Sequence, residues 1–191
     1  MATLTELERE AAACTRCRLA AGRTKVVFGM GNPEADLMFV GEGPGAEEDK
    51  QGLPFVGRSG QLLDRLILEE MGLTRSDFYI TNTVLCRPPG NRDPQEDELA
   101  ACRPFLEQRI ELIRPRVVVT LGNFATKLLL GTTEGITRLR GRSYPFRTGV
   151  LIPTFHPSAA LRSGGETVAA MRADLVRAKQ ALARREQAAN A

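Results

Sequence analysis

The only imidazole in this chain is His156, so any chemistry that needs one happens at that address. It lies in Phe155-His156-Pro157-Ser158, directly after the apolar stretch Val150-Leu151-Ile152-Pro153-Thr154. Three other apolar stretches end beside residues able to bind or react. Leu37-Met38-Phe39-Val40 runs into Gly41-Glu42-Gly43-Pro44-Gly45, where glycines around a proline let the backbone approach a ligand and hold a fixed turn. Phe78-Tyr79-Ile80-Thr81 leads to Asn82, and Arg116-Val117-Val118-Val119-Thr120-Leu121 leads to Gly122-Asn123. A carboxylate, a carboxamide and an imidazole can together orient a polar ring, stabilise a leaving anion and handle a water. The neighbouring run Glu47-Glu48-Asp49 supplies rival carboxylates, and its charge argues against a phosphate in the glycine loop.

The cysteines form a second set. Cys14-Thr15-Arg16-Cys17 is a CxxC, and Cys86 and Cys102 follow with 15 residues between them. Four thiols with none left over, in a reducing compartment, suggest one four-thiolate metal centre rather than disulfides. Zinc and iron–sulfur clusters both take four thiolates, and spacing alone does not separate them, although the wide Cys86–Cys102 gap fits paired zinc ligands less well. Buried, unliganded cysteines are the plain alternative. A metal here would tie the N-terminal helix to the segment after the second strand and position the basic loop from Arg87 to Arg92.

Cationic side chains form a third set. Arg138, Arg140, Arg142 and Arg147 fall within ten residues that contain no acid. Arg58 and Ser59 stand at a helix start, and Arg162 lies just past Ser158. Arginines and helix-start amides suit phosphate oxygens.

The elements that must carry these groups alternate. A helix is expected over Thr3 to Ala13 with Thr5 as its cap, and strands over Asp36–Val40, Phe78–Thr81, Arg116–Leu121 and Val150–Thr154. Between them, Leu62, Leu63, Leu66 and Ile67 mark a helix from Ser59 to Met71 stopped by Gly72, and another begins at Asp93-Pro94. A short helix ends at Leu130, and the last starts near Glu166. Such alternation predicts a three-layer α/β/α sandwich around a four-stranded parallel sheet, with all four strand ends on one rim.

At 191 residues the chain is read as one domain, 1–191, with a frayed tail after about residue 180. No run approaches the roughly 20 apolar residues that span a bilayer, so no membrane is expected. The first residues have neither a basic segment nor an apolar core, which predicts no signal peptide and a cytoplasmic location. A net charge of +3 makes no case for nucleic acid by itself; that case rests on clustering.

In combination and in order, Gly41-Glu42-Gly43-Pro44-Gly45, Gly52-Leu53-Pro54-Phe55-Val56-Gly57, Thr81-Asn82, the four cysteines and His156-Pro157-Ser158 resemble the family 4 uracil-DNA glycosylases, from about Cys14 to Arg177. The resemblance implies a structural [4Fe–4S] cluster on Cys14, Cys17, Cys86 and Cys102. It implies removal of uracil from single- or double-stranded DNA by a monomer, as the first step of base excision repair. Phe55 then matches the aromatic that stacks on the flipped base, Asn82 the amide that reads its edge, and His156 the histidine at uracil O2. Glu42 matches the acid of the first motif, with Gly41 and Gly43 beside it. Arg58, Ser59, Ser158, Arg162 and Arg140 would face DNA, with Leu161 as the wedge into the emptied stack. Competing readings are a glycosylase for other deaminated bases or mismatched thymine, a non-catalytic metal-stabilised nucleic-acid-binding module, and a nucleotide-binding protein.

Overall fold

The computed structural model describes residues 3–189, with side chains through 184. In chain order its regular elements are α1 (Leu4–Ala12), α2 (Leu19–Gly22), β1 (Met30–Gly31), β2 (Leu37–Gly41), α3 (Ala46–Gln51), α4 (Arg58–Met71) and β3 (Tyr79–Asn82). There follow α5 (Glu96–Ile113), β4 (Val117–Leu121), α6 (Asn123–Leu130), α7 (Ile136–Leu139), β5 (Tyr144–Phe146), β6 (Gly149–Thr154), α8 (Pro157–Ser163) and α9 (Gly165–Ala189). None of the described helices is long and apolar enough to cross a membrane.

The sheet has six strands in the order β1-β3-β2-β4-β6-β5, not the four expected. Its central four are parallel and are the four the sequence marks; β1 and β5 add antiparallel edges. The sheet is therefore mixed. Two residues at Met30–Gly31 and three at Tyr144-Pro145-Phe146 are too short to carry a strand pattern, and proline belongs at an edge where no ladder N–H is required.

Side chains alternate between two apolar layers, as a pleated strand demands. Leu37, Phe39, Ile80, Val119 and Ile152 pack toward α4, α8 and α9. Met38, Val40, Tyr79, Val118 and Leu151 pack toward α5 and α6. Full burial of one such side chain is worth about 1.5–3 kcal/mol, so both faces hold the sheet firmly beneath its functional rim.

Two expected helix starts move. The cap of α1 is Thr3, not Thr5: Thr3 Oγ1 accepts the Glu6 N–H at 3.2 Å and Glu6 Oε2 accepts the Thr3 N–H at 2.7 Å. Asp93-Pro94 precedes α5 and does not begin it. Gln95 caps that helix in a reciprocal pair with Glu98, whose carboxylate accepts the Gln95 N–H at 2.9 Å. Past residue 180 the backbone stays helical to Ala189; residues 190 and 191 lie outside the described part.

Candidate active site and thiolate centre

Parallel pairing sets Gly41 opposite Asn82, so the glycine loop and the carboxamide leave the sheet side by side. Backbone bonds continue the match beyond the strands. Thr83 N–H donates to Gly41 O at 2.9 Å and Val84 N–H to Glu42 O at 3.1 Å. The Thr83 hydroxyl donates to Glu42 O as well. On the other side Gly122 N–H donates to Thr154 O at 2.9 Å, which brings the end of β4 against the segment carrying His156. Gly122 has φ of 90°, a torsion that favours glycine, and a Cβ there would crowd His156 Cβ at 3.0 Å.

A cavity of about 220 Å³ opens on this rim. Glu42, Gly43, Phe55, Asn82, His156 and Ser158 line it, joined by Ser59, Asn91 and Arg92. The Phe55 and His156 rings lie 5.8 Å apart with their planes tilted 32°. Gly41 leaves room for two of these side chains: a Cβ there would be 2.4 Å from Phe55 Cζ and 2.5 Å from Asn82 Oδ1. Asn82 is 1 % exposed, and its Oδ1 has no hydrogen-bond partner among the described residues. A buried acceptor without a donor is costly, so this atom is available to accept a ligand's N–H or O–H.

Charge in the cavity is set by burial. Burial pushes Glu42 up to about 7, with Asp93 adding to the rise and Arg162 opposing it. Burial, with a contribution from Arg162, pushes His156 down to about 4, so the imidazole is neutral at pH 7. Its tautomer follows from its partners. Nδ1 accepts the Ser158 backbone N–H at 3.1 Å, with Ser158 Oγ at 2.7 Å, so the ring proton sits on Nε2. The site thus offers a neutral N–H donor and a carboxyl group poised to ionise near neutrality.

The rival acids have other occupations. Glu48 Oε1 accepts the N–H groups of Val56 and Gly57 at 3.1 and 3.0 Å, which pins the loop carrying Phe55. Asp49 Oδ1 accepts from Thr24 N–H at 2.8 Å and Lys25 N–H at 3.3 Å. Glu47 pairs with Lys50 on the surface. Sequence alone could not rank these four neighbouring acids, because the ranking depends on which backbone amides each one meets.

A second pocket gathers Cys14, Cys17, Cys86 and Cys102 with Ala11, Leu85 and Phe105. Burial raises the Cys86 thiol and pushes Cys102 up to about 11. Arg23 opposes that rise at Cys86: its Nη1 donates to Cys86 Sγ at 3.6 Å and to Cys14 O at 2.6 Å. Arg109, on α5 with Cys102, is fully buried; it donates to Phe105 O at 3.0 Å and Phe28 O at 2.5 Å and forms no ion pair among the described residues. Among those residues, no three His, Cys, Asp or Glu side chains converge closely enough to hold a single metal ion.

Comparison with known proteins agrees with the arrangement. The family model for the uracil DNA glycosylase superfamily matches residues 28–182. The chain belongs to the uracil-DNA glycosylase superfamily. Within it, a type-4 uracil-DNA glycosylase of Sulfurisphaera tokodaii is 46 % identical over 84 % of this chain and 77 % of its own length. One of Thermotoga maritima is 51 % identical over 78 % and 79 %. A type-5 uracil-DNA glycosylase of Thermus thermophilus is 32 % identical over 74 % and 76 %, and the higher identities place the chain in the type-4 branch.

For this glycosylase, the residues expected to face DNA divide. Ser59 and Ser158 line the cavity mouth. Arg58 and Leu161 stand together in a shallow surface depression beside it, with Leu161 44 % exposed. Arg162 is exposed, and its charge is felt at both Glu42 and His156. Arg140 does not join them. Its Nε and Nη2 donate to Asp174, each at 2.9 Å, and the Thr154 hydroxyl donates to the same buried carboxylate at 2.8 Å. Arg147 lies at the opposite end of β6, 3.7 Å from Glu111. Two arginines of the basic cluster read from the sequence, Arg140 and Arg147, are thus turned toward acids on α9 and α5.

Proposed function

We propose that this protein hydrolyses the N-glycosidic bond of uracil in DNA, in the cavity between Phe55, Asn82 and His156, as the first step of base excision repair. The observation that carries the reading is the unpartnered Asn82 Oδ1. Uracil presents an N3–H donor to such an acceptor and an O4 acceptor to the amide N–H beside it. Cytosine presents an acceptor at N3 and a donor at C4, so a fixed amide rejects it. Unpaired buried polar groups cost about 1–3 kcal/mol, or one to two decades of selectivity.

A base inside the duplex cannot reach this cavity, so the nucleotide is flipped out and stacks on Phe55. When the bond breaks, its electron pair moves to uracil N1 and spreads onto O2. His156 Nε2–H donates to O2 and stabilises the charge where it develops; the neutral imidazole stays a donor without giving up its proton. Water adds to the sugar carbon, Glu42 takes its proton, and an abasic site remains. Arg58 and Arg162 hold phosphates on either side, and Leu161 fills the emptied stack. The enzyme acts as a monomeric, single-domain protein in the cytoplasm, on single- or double-stranded DNA.

The thiolate pocket fits a [4Fe–4S] cluster better than zinc. Four sulfurs share one apolar pocket, and the wide Cys86–Cys102 spacing fits paired zinc ligands less well. Arg23, donating to Cys86 Sγ, and the unpaired buried charge of Arg109 favour anionic sulfur there. Cys14, Cys17, Cys86 and Cys102 would hold the cluster as a structural tie between α1, α5 and the segment after β3.

The test is release of free base from oligonucleotides that each carry one uracil, mismatched thymine or hypoxanthine. Uracil is expected to be released, and Asn82→Ala and His156→Ala are each expected to slow its release by about one to two decades while DNA affinity holds. Binding without release of any base would overturn the enzymatic reading, and equal release of all three would overturn the assignment to uracil.

A further inference from the structure

Phe55 has φ of 53°, in the left-handed region that residues with a Cβ rarely occupy, and is 5 % exposed. Such a conformation persists only where its surroundings dictate it. They do so here from outside the cavity. Arg75, in the turn between α4 and β3, donates from Nη2 to Phe55 O at 2.6 Å and from Nη1 to Pro54 O at 2.9 Å. Asp64 on α4 aligns the guanidinium, accepting from Nε at 2.6 Å and from Nη2 at 3.1 Å. Both hydrogens of Nη2 are thereby used, one on the carboxylate and one on the Phe55 carbonyl. Gly60 lets α4 come this close: a Cβ there would lie 1.9 Å from Phe55 O. On the far side of the residue, Glu48 holds the next two amides.

We propose that Arg75, aligned by Asp64, is a positioning residue that fixes the height and tilt of the Phe55 ring over the bound base. The proposal rests on the reading of Phe55 as the uracil-stacking residue and names what sets its geometry. Arg75 touches neither the cavity nor the acids and amide that line it, and its planar fork matches two successive carbonyls as a lysine cannot. The surface ion pair alone would be worth little; its effect comes through the backbone it orients.

A double-mutant cycle decides the matter. Arg75→Met keeps the aliphatic stem and removes the donors; it is combined with Phe55→Ala. Three quantities are read: single-turnover uracil excision, inhibition by free uracil, and affinity for a duplex that already carries an abasic site. Arg75→Met alone is expected to lower excision and weaken free-uracil inhibition by about tenfold or more. Affinity for the abasic duplex should not move, and Arg75→Lys should recover part of the loss. In the Phe55→Ala background the further effect of Arg75→Met should be within about twofold. Equal losses in both backgrounds, or unchanged inhibition by free uracil, would overturn the positioning role. If Phe55→Ala itself leaves excision intact, it is the stacking assignment that fails. Should Arg75→Met not fold, Asp64→Asn, at a side chain 42 % exposed, is expected to give a smaller loss of the same pattern, and no loss would count against the proposal.

Discussion

In the proposed mechanism Glu42 sets the pH dependence. Its carboxyl is raised to about 7, so the form able to take a proton from water is lost as pH falls through that value. His156, depressed to about 4, stays neutral throughout the range and adds no step near 6.5. Single-turnover excision should therefore rise with pH, half-maximal near 7, and level off above it; Glu42→Gln should be slow and nearly flat. A wild-type profile already level from pH 5 upward would remove Glu42 from the proton transfer. Much of this site was legible in the sequence, since Glu42, Asn82 and His156 each follow an apolar stretch. What stayed hidden was division of labour. The occupation of Glu48 and Asp49 by backbone amides, and the reach of Arg75 to carbonyls twenty residues earlier, leave no trace in residue type or spacing.

At the level of elements, the end of β6 is held by one buried carboxylate. Asp174 on α9, 1 % exposed at its side chain, binds both Arg140 and the Thr154 hydroxyl two residues before His156. Arg140 also lies 5.7 Å from the Phe155 ring. Arg140→Ala leaves that carboxylate buried and unpaired, which is expected to cost about 3 kcal/mol and lower Tm by roughly 6–12 °C. The salt dependence of DNA affinity should be unchanged, whereas Arg162→Ala should reduce its slope by about 0.9. A shallower slope for Arg140→Ala with no loss of stability would return that arginine to the DNA surface. The parallel strands were readable because continuous apolar runs such as Val117-Val118-Val119 need burial on both faces. The edge strands were not, because two or three residues form a strand only when a neighbour already offers its backbone.

The whole molecule is two centres joined by one strand. β3 ends at Asn82 in the cavity, and four residues later Cys86 enters the thiolate pocket. Purified without oxygen, the protein should contain about four irons and four sulfides per chain. Removing them should lower Tm and loosen α1 from α5, measurable as faster amide exchange in α1. About one zinc per chain and no sulfide would contradict the cluster assignment. The count of cysteines was plain in the sequence. Their meeting in one pocket depends on the register that carries the chain past β3, which only the fold displays. A net charge of only +3 supplies little bulk attraction for DNA, so the proposed binding rests on the placement of a few arginines.

Uracil is expected to supply the donor that Asn82 Oδ1 lacks among the described residues. A crystal structure with free uracil tests it directly. The base should lie against Phe55, its N3 about 2.9 Å from Asn82 Oδ1, and its O2 toward His156 Nε2. Uracil bound elsewhere, or turned so that no donor faces Asn82 Oδ1, would contradict it.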